Sequence, residues 1–231
     1  MPNRTRTFSF FGRGAAPKIA CIDRSRAVLP VDFDKLIRAL QTFVDECVVP
    51  VWRTPARLVK SRKELSGAWN LVFLDDADRA KLFGYHKLMK NGLPLAKVFV
   101  KPTLRAGEAI SVVASHELAE MLVDPSDSLW CLGPKRRLYA YEVCDPVEHE
   151  QFEVDGLAMS DFLYPAYFQR FRKAKSTQFD YLKKVKRPFQ VLPGGYALMR
   201  VRGKKVTVFG SRAKRHEFGM EDRRFHRSQF R

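Results

Sequence analysis

No Cys-x-x-Cys pair occurs in this chain, and its cysteines, Cys21, Cys47, Cys131 and Cys144, stand far apart. Scattered cysteines without a secretion signal read as free thiols of a reducing compartment. No apolar run approaches the ~18 residues of a membrane span, so no membrane partner is expected. The basic N-terminus "MPNRTRTFSFFGRGAAPKIA" breaks its apolar stretch with Gly12 and Arg13, which is too short for a secretory leader. No Gly-x-x-x-x-Gly-Lys-Ser/Thr phosphate loop is present, and no internal repeat or low-complexity tract. Acidic residues are scarce outside one segment. Residues 1–114 carry 20 Lys/Arg against 10 Asp/Glu, and residues 163–231 carry 19 against 4. Between them, residues 115–162 carry 3 against 11. A basic chain of net charge +17 thus holds a single acidic centre. Clustered carboxylates repel unless a cation, basic side chains or water offset them.

What is present supports a sizeable core: 231 residues, 45% hydrophobic, with 18 Phe. That is one large domain or a domain with appendages. The expected division is a flexible basic arm over 1–17, a domain over 18–210 and a basic tail over 211–231. "PKIACIDRS" reads as a buried strand. In "VDFDKLIRALQTFVDECVVPVW", apolar residues recur at three- and four-residue steps from Phe33 to Cys47, predicting a long helix. Asp32 or Asp34 caps it and Pro50 stops it. "ARLVKS", "AWNLVFLDD" and "LAKVFVKP" read as strands, with Gly84 and Gly92 punctuating a loop before the last. "AGEAISVVASHELAEMLVDP" reads as a helix ended by Asp124-Pro125. "RLYAYEV" is a strand, "FEVDGLAMSDFLYP" a strand, Gly turn and extended exit, and "GGYALMRVRGKKVTVFGS" a hairpin bending at Arg202-Gly203-Lys204. The fold class is α+β: a mixed sheet beside two main helices.

The chemistry sits in "SHELAE". A four-residue step turns ~400° about a helix, so His116 and Glu120 share one face and can reach one ion. Glu117, rotated by ~100°, flanks that ion as a general base. Zinc accepts imidazole nitrogen and carboxylate oxygen, and a catalytic site wants about three protein ligands. A Glu in place of a second His makes the centre less positive, so it acidifies its water less. Asp124, before proline at the helix end, caps or orients its neighbours. Glu142, on a predicted strand in "YAYEVCDPVEHE", is the expected third ligand. Asp145 is an alternative ligand or a carboxylate that orients His116. The same spacing also fits an ordinary helix, with a hydrogen-bonded His116 beside two solvated glutamates.

Together, "SVVASHELAEMLVDP", "YAYEVCDPVE", "GLAMSDFLYPAYF" and "PFQVLPGGYALM" resemble a family of phage and bacterial proteins carrying Ser-His-Glu-x-x-Glu-x-x-x-Asp-Pro followed by Glu-x-x-Asp. "ALQTFVDECVVPVW" and "FGYHKLMKNGLPLAKVFV" extend that resemblance over about residues 18–200. The family is similar to zincin-like metallopeptidases. The resemblance implies a zincin-type fold, a zinc or other divalent ion at His116, Glu120, Glu142 and Asp145, and hydrolysis assisted by Glu117. It also implies a location in the host cytoplasm or the virion. The chain departs from true zincins at Glu120 and offers no third histidine, since His149 lies too near Glu148 and Glu150 to assign.

Other residues carry weaker signals. His86, in "FGYHKLMKNG", is expected on the surface of a loop. Tyr139, Tyr141 and Tyr164 are able to donate to an oxyanion, but aromatic packing is the expectation. Cys144, with no histidine beside it in sequence, is not read as a nucleophile. The basic C-terminal third, with "RFRKAKSTQFDYLKKVKRPF", mixes cations and aromatics as nucleic-acid surfaces do. Two readings follow: a zinc hydrolase acting on a peptide or protein, and a virion or assembly protein binding DNA or an acidic virion protein through its basic segments.

Overall fold

The computed structural model describes residues 16–78 and 83–211. The expected arm and tail, apart from their junctions with the domain, lie outside the described residues. The chain is a mixed α+β structure with several sheets and few helices.

The main sheet holds β1 (Lys18–Asp23), β2 (Arg57–Ser61), β3 (Trp69–Leu74), β4 (Gly84–Leu88) and β5 (Pro94–Phe99), in the order β2-β1-β3-β5-β4. β1 runs parallel to β2 and β3, and β3 parallel to β5; β4 alone is antiparallel, against β5. Side chains alternate between faces of a strand. Ile19, Cys21, Leu71, Phe73, Ala96 and Val98 enter the main core on one face. Ala20, Ile22 and Val72 form a smaller cluster on the other.

The long N-terminal helix is corrected in form. Its α-helical part, α1, spans Phe33–Thr42 and is capped by Asp32, whose carboxylate accepts from Lys35 N. A π-helical turn then runs over Phe43–Val48, followed by one α-turn, α2 (Val49–Trp52). Pro50 lies inside that last turn, and the segment ends at Arg53 in the left-handed region (φ 57°). A proline has no N–H to send back along a helix; here the wider π-turn precedes it and the chain continues for another turn.

A short helix, α3 (Val100–Arg105), leads into α4 (Ile110–Val123), which carries the motif. All fourteen residues of α4 are buried. It packs on β4 and β5 on one side and on a hairpin of β8 (Gln151–Val154) and β9 (Leu157–Ser160) on another. Ser115 Oγ accepts from Ser160 N at 2.8 Å and so pins the helix to that hairpin. A second sheet contains β6 (Trp130–Leu132), β7 (Leu138–Ala140), β10 (Tyr196–Val201) and β11 (Lys204–Phe209). The β10–β11 bend has Arg202 and Gly203 at positive φ (50° and 79°), the requirement of a tight hairpin turn.

The loop expected around Gly84 is instead a strand: residues 84–88 form β4. Its hairpin partner is β5, with Gly92 (φ 77°) in the turn. Among the described residues, no helix is long and apolar enough to cross a membrane.

Candidate metal centre

α4 is too apolar on most of its surface to face water, so its polar side chains turn inward. His116, Glu117 and Glu120 are all buried, which removes the reading of two solvated glutamates. Burying ionised groups is costly unless each meets an opposite charge, a hydrogen bond or a metal.

His116 Nε2 lies 3.4 Å from Glu120 Oε1 and 3.3 Å from Asp145 Oδ1. Zinc bonds of ~2.0–2.2 Å in a tetrahedron place neighbouring donors about 3.3–3.6 Å apart, so these separations are edges that a tetrahedral ion would span. The three residues form one group able to hold a metal ion, and all three are buried. The chemistry of this donor set, one imidazole and two carboxylates, fits zinc.

Asp145 reaches the helix because its own turn is held from two directions. Asp145–Val147 form a 3-10 turn begun by Pro146. Leu192 N donates to Pro146 O at 3.0 Å. A Cβ added at Gly195 would come within 2.4 Å of that same oxygen and 2.8 Å of Asp145 O, so glycine permits the close approach. The adjacent Tyr196 hydroxyl donates to Asp145 Oδ1 at 2.6 Å. On the helix side, Cys144 N donates to Glu120 Oε1 at 3.2 Å. Burial chiefly, with the charges of Asp145 and Glu142, raises the Glu120 carboxyl to about 7, against the pull of His116.

Glu142 is buried but belongs to a neighbouring group, with His86 and Asp127. The structure therefore brings Asp145, rather than the expected Glu142, into the group with His116 and Glu120. Asp124 behaves as a capping residue: its carboxylate accepts from Leu129 N at 2.7 Å and Ser126 Oγ at 3.2 Å.

The surface position expected for His86 is corrected. It sits on β4, only 5% exposed, with Nδ1 3.7 Å from both Glu117 Oε2 and Glu120 Oε2. Burial disfavours its charge, but the contact with Glu117 and the charges of Glu142, Asp127 and Glu120 outweigh that and raise its pKa to about 10. Glu117 fits beside β4 because residue 84 is glycine. A Cβ there would lie 2.8 Å from Glu117 Cγ, Glu117 Oε1 and Lys97 O.

The tyrosines singled out from sequence pack against other aromatics. Tyr141 stacks on Phe168 at 4.1 Å, Tyr139 lies 4.6 Å from Phe189, and Tyr164 stacks on Phe162 at 6.1 Å. Cys144 is buried, its Sγ directed at His116 O, and burial pushes the thiol pKa well up, unlike a nucleophilic cysteine. His149 is exposed.

Sequence reasoning thus missed His86, Asp127, Tyr196 and Gly84. The Asn91-Gly92 pair is a hairpin signal and would have placed His86 on a strand paired with residues 94–99. Asp127 follows the helix in a turn, at positive φ (49°), and no local pattern marks it. Comparison with protein-family models, with curated proteins and with solved structures finds no match to this chain.

Proposed function

We propose that this chain is a zinc-dependent hydrolase of zincin-like architecture, acting on a peptide or protein. One observation carries the reading: buried His116 Nε2 lies at distances a tetrahedral ion would span from both Glu120 Oε1 and Asp145 Oδ1, and the three residues form one group able to hold an ion. His116, Glu120 and Asp145 would hold the ion. Bound zinc lowers the pKa of water toward ~7 and polarises a carbonyl.

Glu117 stands one residue along the helix from His116, buried and 3.7 Å from His86 Nδ1. Its carboxylate accepts the proton of the attacking water and delivers it to the leaving nitrogen. Tyr196 orients Asp145 through its hydroxyl, and Cys144 N orients Glu120. β4 ends the main sheet, and among the described residues no strand pairs with its outer edge. An extended peptide adds to such an edge through main-chain hydrogen bonds, which brings a substrate beside Glu117.

Zinc content and cleavage of a broad peptide library, compared between wild type and Glu117→Gln, test the proposal. Zinc in both proteins with cleavage only by wild type is the expected result. Zinc without cleavage in either sinks the hydrolase and leaves a structural ion. Absence of zinc from a folded chain sinks the whole reading.

A second reading concerns attachment. Arg170, Arg172, Lys173 and Lys175 lie exposed on a loop beyond the site, as do Lys183 and Lys186. This basic surface supports binding to DNA or an acidic protein shell. Affinity for duplex DNA should fall steeply with salt; salt-independent binding would remove this role.

A further inference from the structure

The group at His116 uses one oxygen of Glu120. The other, Oε2, faces a second imidazole: His86 Nδ1 lies 3.7 Å from it. His86 Nε2 is 3.2 Å from Asp124 O. A carbonyl only accepts, so Nε2 carries the proton and donates. Nδ1 then faces the carboxylates of Glu117 and Glu120, and an ion bound there would take the place of the proton that Nδ1 otherwise holds against them. Ligating histidines are held in this way, the far nitrogen donating to a backbone carbonyl while the near one meets the ion. That carbonyl is itself fixed, since it also accepts from Asp127 N at 3.0 Å. His86, Asp127 and Glu142 offer donor atoms all within 4.8 Å of one another, and His86 and Glu142 are buried.

We infer that the centre is built for two divalent transition-metal ions: one on His116, Glu120 and Asp145, the other on His86, Glu142 and Asp127. The inference rests on the metal-centre reading above. Charge favours it. The overlapping groups contain five carboxylates, Glu117, Glu120, Asp127, Glu142 and Asp145, with two histidines. The ion pairs of Glu117 and Glu120 among the described residues are with those histidines. A second divalent ion would add two positive units to this desolvated, carboxylate-rich site, where buried charge needs compensation.

The test counts ions rather than turnover. The metal-free full chain is titrated with Zn²⁺ and followed by native mass spectrometry and calorimetry, with circular dichroism to confirm folding. Wild type should bind two ions, and His86→Ala and His116→Ala one each. Asp127→Asn, on the partly exposed turn after α4, tests the same site with less disturbance to the core. It should weaken the second binding step by about tenfold or more and leave the first unchanged. One ion in wild type that survives His86→Ala overturns the second site and leaves the His116 site standing. One ion that survives His116→Ala but not His86→Ala overturns the His116 site and the two-ion arrangement together. Two ions in wild type with both steps unchanged in Asp127→Asn and His86→Ala overturn the assignment of ligands.

Discussion

Gly84→Ala is the sharpest test of how β4 and α4 meet. The new methyl would stand 2.8 Å from Glu117 Cγ, Glu117 Oε1 and Lys97 O. Ordinary carbon contacts begin near ~3.5 Å, so each neighbour must retreat by about 0.7 Å. Glu117 is buried and is anchored by a helix that is itself buried along its length. Lys97 O belongs to β5, which β3 and β4 flank on either side. Neither retreats freely, and overpacking of this kind costs about 1–3 kcal/mol. In urea, with a slope of about 2–3 kcal/mol/M, the midpoint should fall by about 0.3–1.5 M. In the Glu117→Ala background two of the three close atoms disappear, so the same substitution should cost markedly less. Peptide hydrolysis should also suffer, because a displacement approaching 1 Å in a catalytic group costs up to about 10²-fold. Zinc content should hold, since the three atoms nearest the new methyl belong to Glu117 and Lys97 and none to His116, Glu120 or Asp145. A Gly84→Ala protein within about 0.5 kcal/mol of wild type, with full turnover, would refute the close approach and the placement of Glu117.

Two further outcomes follow from the packing around the centre. Tyr196→Phe removes the hydroxyl that donates to Asp145 Oδ1 at 2.6 Å. It should weaken zinc about 10–100-fold in competition with a chelator; unchanged affinity would place Asp145 outside the ligand set. Asp161 is fully buried beside Asp180, and burial first, then the Asp180 carboxylate, raises its pKa from 3.8 to about 8. The folded chain therefore keeps a proton that the unfolded chain releases near pH ~4. Its stabilising contribution is full below that pH and is lost as pH rises through about 8. Thermal midpoints should fall between pH 5 and 9 in wild type and less so in Asp161→Asn, and equal slopes would discard the buried proton.

Local chemistry made much of this protein legible in one dimension. Apolar periods of two and of three to four residues marked β1, β2, β3, β5, α1 and α4, because burial on one face imposes those periods on the chain. The His116–Glu120 pairing was legible for the same reason: a four-residue step on a helix brings two side chains together wherever that helix lies. The acidic excess over residues 115–162 pointed to the segment that supplies the partner carboxylates. Less was visible where a residue's role depends on a segment distant in sequence. His86 reads as a surface residue until β4 is paired with β5 and laid against α4. Glu142 and Asp145, three residues apart in a turn, are equivalent on paper. Their division between two groups depends on how Leu192, Gly195 and Tyr196 hold the Asp145–Val147 turn. Helical spacing is set by bonds within one segment, so the sequence alone determined the motif helix and the pairing of His116 with Glu120 on one of its faces. Convergence of β4, the Asp145 turn and the Tyr196 strand on that helix depends on packing among segments up to about a hundred residues apart. Only the tertiary structure could decide which carboxylates meet which histidine.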